Sequence, residues 1–214
     1  MFVCLNDYDR IPDELMKYDN VYPVLAGELS CLKENGRLQW INQFPDSYYL
    51  TVDDDISYPE DYVQDIIWNI EKYKCKCIVS YHGSTFAQNG KESVLQFQFG
   101  IKEDTMEHRF GGGVAGMVPS EIGFTMPEMD TIKDWDGDAS ISVWATLHGV
   151  KKICLKHSNG WLKDIVVKGK QLSNDKNALW LNKSTKEKRK AIYSQLRNGW
   201  ERLGDPKKEM REGV

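Results

Sequence analysis

Tyr48-Tyr49-Leu50-Thr51-Val52-Asp53-Asp54-Asp55-Ile56-Ser57-Tyr58-Pro59 is an apolar strand pattern that runs straight into three carboxylates. Three adjacent like charges at a strand end are costly to bury without a compensating cation. In extended chain Asp53 and Asp55 point to one side and Asp54 to the other. Two carboxylates converging at the carboxyl end of a strand suit a hard divalent cation such as Mg²⁺ or Mn²⁺, with phosphate oxygens completing its shell. The alternative is an acidic turn that caps the next helix, because Pro59, Glu60 and Asp61 form a helix-start pattern.

Outward from this stretch, the spacing of Tyr62, Val63, Ile66, Ile67, Ile70 and Tyr73 predicts an amphipathic helix, with Lys72 and Lys74 near its end. Cys77 to Tyr81 reads as a strand that stops at His82-Gly83. Upstream, Phe2 to Leu5 and Val21 to Leu25 read as strands, with a short helix opening at Pro12 and another near Gly36. Strand, helix, strand repeated in this way predicts an α/β domain with a mixed, mainly parallel sheet flanked by helices. Ligands of such sheets lie at the carboxyl ends of the strands, where Asp53, Asp55 and His82 fall.

Farther on, Val94 to Phe99 alternates like a half-exposed antiparallel strand, with Met106 to Phe110 returning beside it. Gly111-Gly112-Gly113 leads into a small-residue strand through Val118. The acidic turn Trp135-Asp136-Gly137-Asp138 precedes Ile141, Val143, Trp144 and Leu147, which have helical spacing, and Val150 to Leu155 is a last strand. Ser184-Thr185-Lys186-Glu187 offers a capping box for a basic helix carrying Ile192, Leu196, Trp200 and Leu203 on one face. The expected division is a domain over 1–165 and a basic helical extension over 166–214.

The 214 residues suffice for a real core, and the net charge of -4 gives no general case for nucleic acid as a partner. The charge is uneven, with an acidic body and a basic tail from Lys183 onward. The 5 cysteines, Cys4, Cys31, Cys75, Cys77 and Cys154, lack zinc-site spacing and read as reduced thiols, many within apolar strands. No run reaches the ~20 apolar residues needed to span a bilayer. Met1 to Leu5 is too short for the core of a signal peptide. The expected setting is cytoplasmic, at most peripheral to a membrane.

In order, "VCLNDYDRIPDEL", "GELSCLKENGRLQWI", "YYLTVDDDISYPEDYV", "CIVSYHG", "GGGVAG", "DGDASISVWATLHGVKKICL" and "NGWL" resemble the motifs of a GT-A fold (Rossmann-related) glycosyltransferase, close to bacterial family 2 enzymes. The resemblance covers roughly residues 1 to 165. It implies a metal-dependent transfer of a sugar from a nucleoside-diphosphate sugar, with UDP favoured, to an acceptor hydroxyl with inversion. Members of the family usually carry a strand and loop ahead of the segment matching Phe2 to Asp7, and these hold the nucleotide base. Against that pattern the sequence begins at about the second strand. Either the sequence lacks its natural beginning, or the base is gripped differently, or the chain is a catalytically impaired binding or scaffold protein on the same frame, which is the alternative function.

By this resemblance Asp53 and Asp55 form the DxD element that binds Mn²⁺ or Mg²⁺, with Asp55 the more direct ligand, Asp53 nearer the ribose or a metal-bound water, and Asp54 facing the sugar or holding the turn. Arg37 stands where the family has a lysine beside the diphosphate; a surface arginine is the competing reading. Asp138 is the implied general base, with Asp136 its rival and helix capping the alternative for both. His82 falls near the donor sugar, and His157 where some GT-A enzymes supply a third metal ligand; structural and surface roles compete. Gly112 and Gly113, in the loop from Gly111, would let backbone approach the donor sugar or acceptor, with an ordinary flexible turn the competing reading. Trp161 would close over the site or pack beneath it. The implied acceptor is a glycan or a lipid-linked glycan. Trp180, Tyr193 and Trp200 in the basic tail leave a nucleic-acid base open as a further acceptor, although an amphipathic helix packed on the domain explains the tail more simply.

Overall fold

The computed structural model describes residues 1–6, 8–26, 33–86, 92–95, 99–107, 109–110, 113–126 and 137–172. Asp7, Cys31, Gly111, Gly112, Asp136 and the basic segment from 173 to 214, with its expected helix, lie outside the described residues.

A five-stranded sheet organises the chain, in the order β3 (Tyr49–Val52), β10 (Val114–Met117), β5 (Cys77–Ser80), β11 (Lys151–Cys154) and β8 (Thr105–Met106). β10 is antiparallel to both β3 and β5, β11 is parallel to β5, and β8 is antiparallel to β11. The sheet is mixed, but the expectation of a mainly parallel one is corrected: β5 and β11 are its one parallel pair. The cause is β10, whose Val-Ala-Gly-Met is small enough to be buried throughout and inserts between two strands of the opposite direction. β3, β5 and β11 still run the same way, so their carboxyl ends share one edge.

Strand alternation sorts the core to two faces. Val79, Val114 and Ile153 face α1 (Tyr62–Lys72), which buries Tyr62, Ile66 and Ile70. Ile78, Ala115 and Met117 face α3 (Gly137–Leu147), which buries Ile141 and Ala145. Ile66, Ile70, Ile78 and Ile141 are fully excluded from water, each worth about 2 kcal/mol of transfer free energy. α1 lies where its periodicity predicts, except that Val63 is on the exposed side and Asn69 takes an inward place, donating to the Asp65 carbonyl at 2.9 Å.

Other elements depart from the sequence reading. The helix near Gly36 is a 3-10 helix over Lys33–Leu38. The alternating strand is β7 (Glu92–Leu95), and it pairs with β6 (Gly83–Phe86), a strand the sequence reading passed over as a stop. The return splits: β8 joins β11, while β9 (Arg109–Phe110) pairs with β6. β1 (Phe2–Leu5) and β2 (Tyr22–Leu25) form a separate parallel pair. β4 (Ile56–Ser57) pairs with β12 (Lys163–Asp164), and β13 (Val166–Val167) with β14 (Lys170–Gln171). The described start of the C-terminal extension is thus a hairpin. α2 (Pro119–Ile122) is a single turn after β10. Cys4, Cys75, Cys77 and Cys154 are free thiols. Among the described residues no helix is long and apolar enough to cross a membrane.

Candidate functional site

Strand parity decides where the aspartates point. Leu50 packs toward α1, whereas Tyr49 packs toward the α3 side and Thr51 is buried against β10. One residue past β3, Asp53 continues the Tyr49–Thr51 parity and faces Arg37 and the start of α3. Arg37 Nη1 donates to Asp53 Oδ1 at 2.6 Å, and Arg37 Nη2 lies 3.8 Å from Asp138 Oδ1. Three residues from three separate segments therefore meet at the carboxyl edge of the sheet.

Each is fixed by its own element. The Tyr49 hydroxyl donates to the Arg37 carbonyl at 2.6 Å, tying the 3-10 helix to β3. Gly137 brings the start of α3 against that same helix: a Cβ there would lie 2.6 Å from Asn35 Oδ1, so any larger residue would push the Asn35 side chain aside. Within α3, Ser142 Oγ donates to the Asp138 carbonyl at 2.6 Å and Thr146 Oγ1 to the Ser142 carbonyl at 2.8 Å. The Asp53 amide bonds the Gly113 carbonyl at 3.0 Å and the Tyr58 hydroxyl at 2.8 Å, and that hydroxyl donates to the Gly113 carbonyl at 2.7 Å.

The carboxyls are crowded. Burial pushes the Asp53 pKa up to about 6; the Arg37 guanidinium opposes the rise, and the charges of Asp138 and Asp55 add to it. Its side chain keeps 40 % of its surface, so it is crowded by protein yet open to a ligand. The Asp55 carboxyl is also raised, by burial and then by Asp54 and Asp164, again opposed by Arg37. Asp54 is exposed. The triplet does not cap α1: β4 and residues 58–61 intervene, and the cap position, Asp61, makes no side-chain cap bond.

His82 sits in the bend after β5, its carbonyl accepting from Ser80 Oγ at 3.1 Å. His157 follows β11. β10 and β5 separate β3 from β11, roughly 14 Å at ordinary strand spacing. His157 Nδ1 is 2.8 Å from the Leu155 carbonyl, and its ring meets Tyr81 edge-on. Among the described residues no group of three or more His, Cys, Asp or Glu is placed to hold a metal. Asp53, which feels the charge of Asp55, forms with it the pair of hard oxygen donors at this edge. Trp161 packs beneath the edge, on Tyr81 and Tyr62. Tyr58 and Tyr49 are the site residues that sequence reading missed; both flank the aspartates within the quoted stretch, and adjacency was the only signal.

No family model matches the chain, and no curated protein matches it.

Proposed function

We propose that the chain is a metal-dependent glycosyltransferase that moves a sugar from a nucleoside-diphosphate sugar to an acceptor hydroxyl with inversion. The observation that carries this reading is the convergence of Arg37, Asp53 and Asp138, each drawn from a different motif of the resemblance, at the carboxyl edge of β3. In this reading Asp53 and Asp55 hold the divalent cation together with the donor diphosphate. Bound there, the cation neutralises the charge that grows on the leaving diphosphate. Asp138 takes the proton of the acceptor hydroxyl as its oxygen bonds the anomeric carbon and the carbon–phosphate oxygen bond breaks. Before the cation binds, Arg37, paired with Asp53 and Asp138, holds the two carboxylates in place. A UDP-sugar donor, a glycan or lipid-linked acceptor and a cytoplasmic setting belong to the same proposal.

The test is release of nucleoside diphosphate from a panel of nucleotide sugars with Mn²⁺ or Mg²⁺, with and without acceptors. Asp138→Asn is expected to lose transfer while keeping donor-dependent thermal stabilisation. Neither turnover nor stabilisation with any donor would overturn the reading. Stabilisation without turnover would leave a binding protein on this frame.

A further inference from the structure

Asp53 already has a cation partner. Its Oδ1 accepts from Arg37 Nη1 at 2.6 Å. Its Oδ2 is pressed against Gly113, where a Cβ would come within 1.6 Å. A divalent cation approaching Oδ1 needs the lone pairs that the guanidinium holds, and the two positive groups repel at contact distance. The guanidinium has somewhere to go, because Asp138 Oδ1 lies 3.8 Å from its Nη2. Its backbone has not, because Tyr49 holds the Arg37 carbonyl. A swing of the side chain, not a shift of the 3-10 helix, is the available motion.

We infer that Arg37 is the resident counter-cation of the site and that a divalent cation binds by displacing its guanidinium from Asp53. The inference rests on the reading of Asp53 and Asp55 as cation ligands. Without a metal, Arg37 offsets the mutual repulsion of Asp53, Asp55 and Asp138 and preserves their spacing. With one, the freed guanidinium stands beside the cation with its donors turned to whatever anion the cation brings. Metal alone is then a weak ligand, because it trades the 2.6 Å charge-assisted bond to Asp53 for the looser 3.8 Å contact with Asp138. Metal with a diphosphate binds better, because the displaced Arg37 regains an anionic partner.

The test measures Mn²⁺ binding calorimetrically, without any donor, to the wild type, Arg37→Gln and Asp55→Asn. Arg37→Gln is expected to bind Mn²⁺ at least about tenfold tighter than wild type, since a competitor is removed and the net charge of the site falls. Equal or weaker binding overturns the inference. The reading of the metal site still stands in that case if Asp55→Asn abolishes wild-type binding. Absence of Mn²⁺ binding in both wild type and Arg37→Gln overturns inference and metal reading together. Should Arg37→Gln fail to fold, the wild type decides by ¹⁵N guanidinium spectra in Mg²⁺. Faster exchange of the Arg37 Nη protons upholds displacement, and unchanged exchange at saturating Mg²⁺ overturns it.

Discussion

Gly113 lies directly beneath the Asp53 carboxyl: a Cβ on Gly113 would sit 1.6 Å from Oδ2 and 1.9 Å from Cγ. No real Cβ tolerates that approach, and the obstacle is the whole carboxyl group. In Gly113→Ala, therefore, the Asp53 side chain must turn away and release Arg37. Overpacking of this kind costs about 1–3 kcal/mol. The expected result is a lower thermal midpoint together with loss of Mn²⁺ binding. Wild-type Mn²⁺ affinity in a folded Gly113→Ala protein would show that Asp53 is not the ligand.

Tyr58 supports the same point from the other side. Its hydroxyl accepts from the Asp53 amide and donates to the Gly113 carbonyl, and it can be removed without emptying either partner, since amide and carbonyl also bond each other at 3.0 Å. Tyr58→Phe should cost about 1 kcal/mol, a drop of roughly 2–4 °C in the thermal midpoint. A larger proportional loss is expected in Mn²⁺-dependent turnover, because the start of the aspartate turn is no longer pinned. Equal turnover at 25 °C would reduce Tyr58 to a packing residue.

The legible part of this site is local and the illegible part is not. Period two along Tyr49, Leu50, Thr51, Val52 and Asp53 fixes which side each residue takes, and the stripe on α1 fixes its buried face. Val63 escapes that stripe because an amphipathic helix has an edge, and there spacing alone does not decide exposure. The place of β10 could not be read. Antiparallel insertion between β3 and β5 depends on partners far away in sequence, and Val-Ala-Gly-Met suits either direction. The two-residue strands β4 and β12 are too short for any periodicity. The contact of Arg37 with Asp138 depends on Gly137 and Asn35 packing two helices end to end, which no pattern within either segment states.

A buried lysine gives the fold its own pH dependence. Lys152 is 4 % exposed, and its Nζ donates to Thr146 Oγ1 at 2.9 Å, continuing the α3 bonds that end on the Asp138 carbonyl. Burial pulls its pKa down to about 8 from 10.5, opposed by the charge of buried Glu107. A depressed base stabilises the fold above the unfolded value and loses that stability as pH falls through the folded one. Unfolding free energy should therefore decline between about pH 10.5 and about 8, by an amount on the order of 3 kcal/mol. Lys152→Met has no such slope. Denaturant titrations of both proteins at pH 7.5 and pH 10 should show the difference between them changing with pH, and parallel profiles would refute the assignment.

The end of α1 carries strain that substitution can relieve. Lys74 and Cys75 both take left-handed backbone, with φ of 57° and 58°, after the helix closes through the Cys75 amide on the Ile70 carbonyl at 2.9 Å. Left-handed geometry costs a residue with a Cβ about 1–2 kcal/mol, and glycine returns roughly 0.5–1 of that through its freer unfolded chain. Lys74 is the better position, because it is exposed while Cys75 packs against the core. Lys74→Gly is expected to gain about 0.5–1 kcal/mol, read as a rise of roughly 2–3 °C in the thermal midpoint. The site at β3 lies outside this turn, so Mn²⁺ affinity should not move with it. A destabilised Lys74→Gly protein would mean that the lysine side chain, rather than the backbone, sets the stability of this turn.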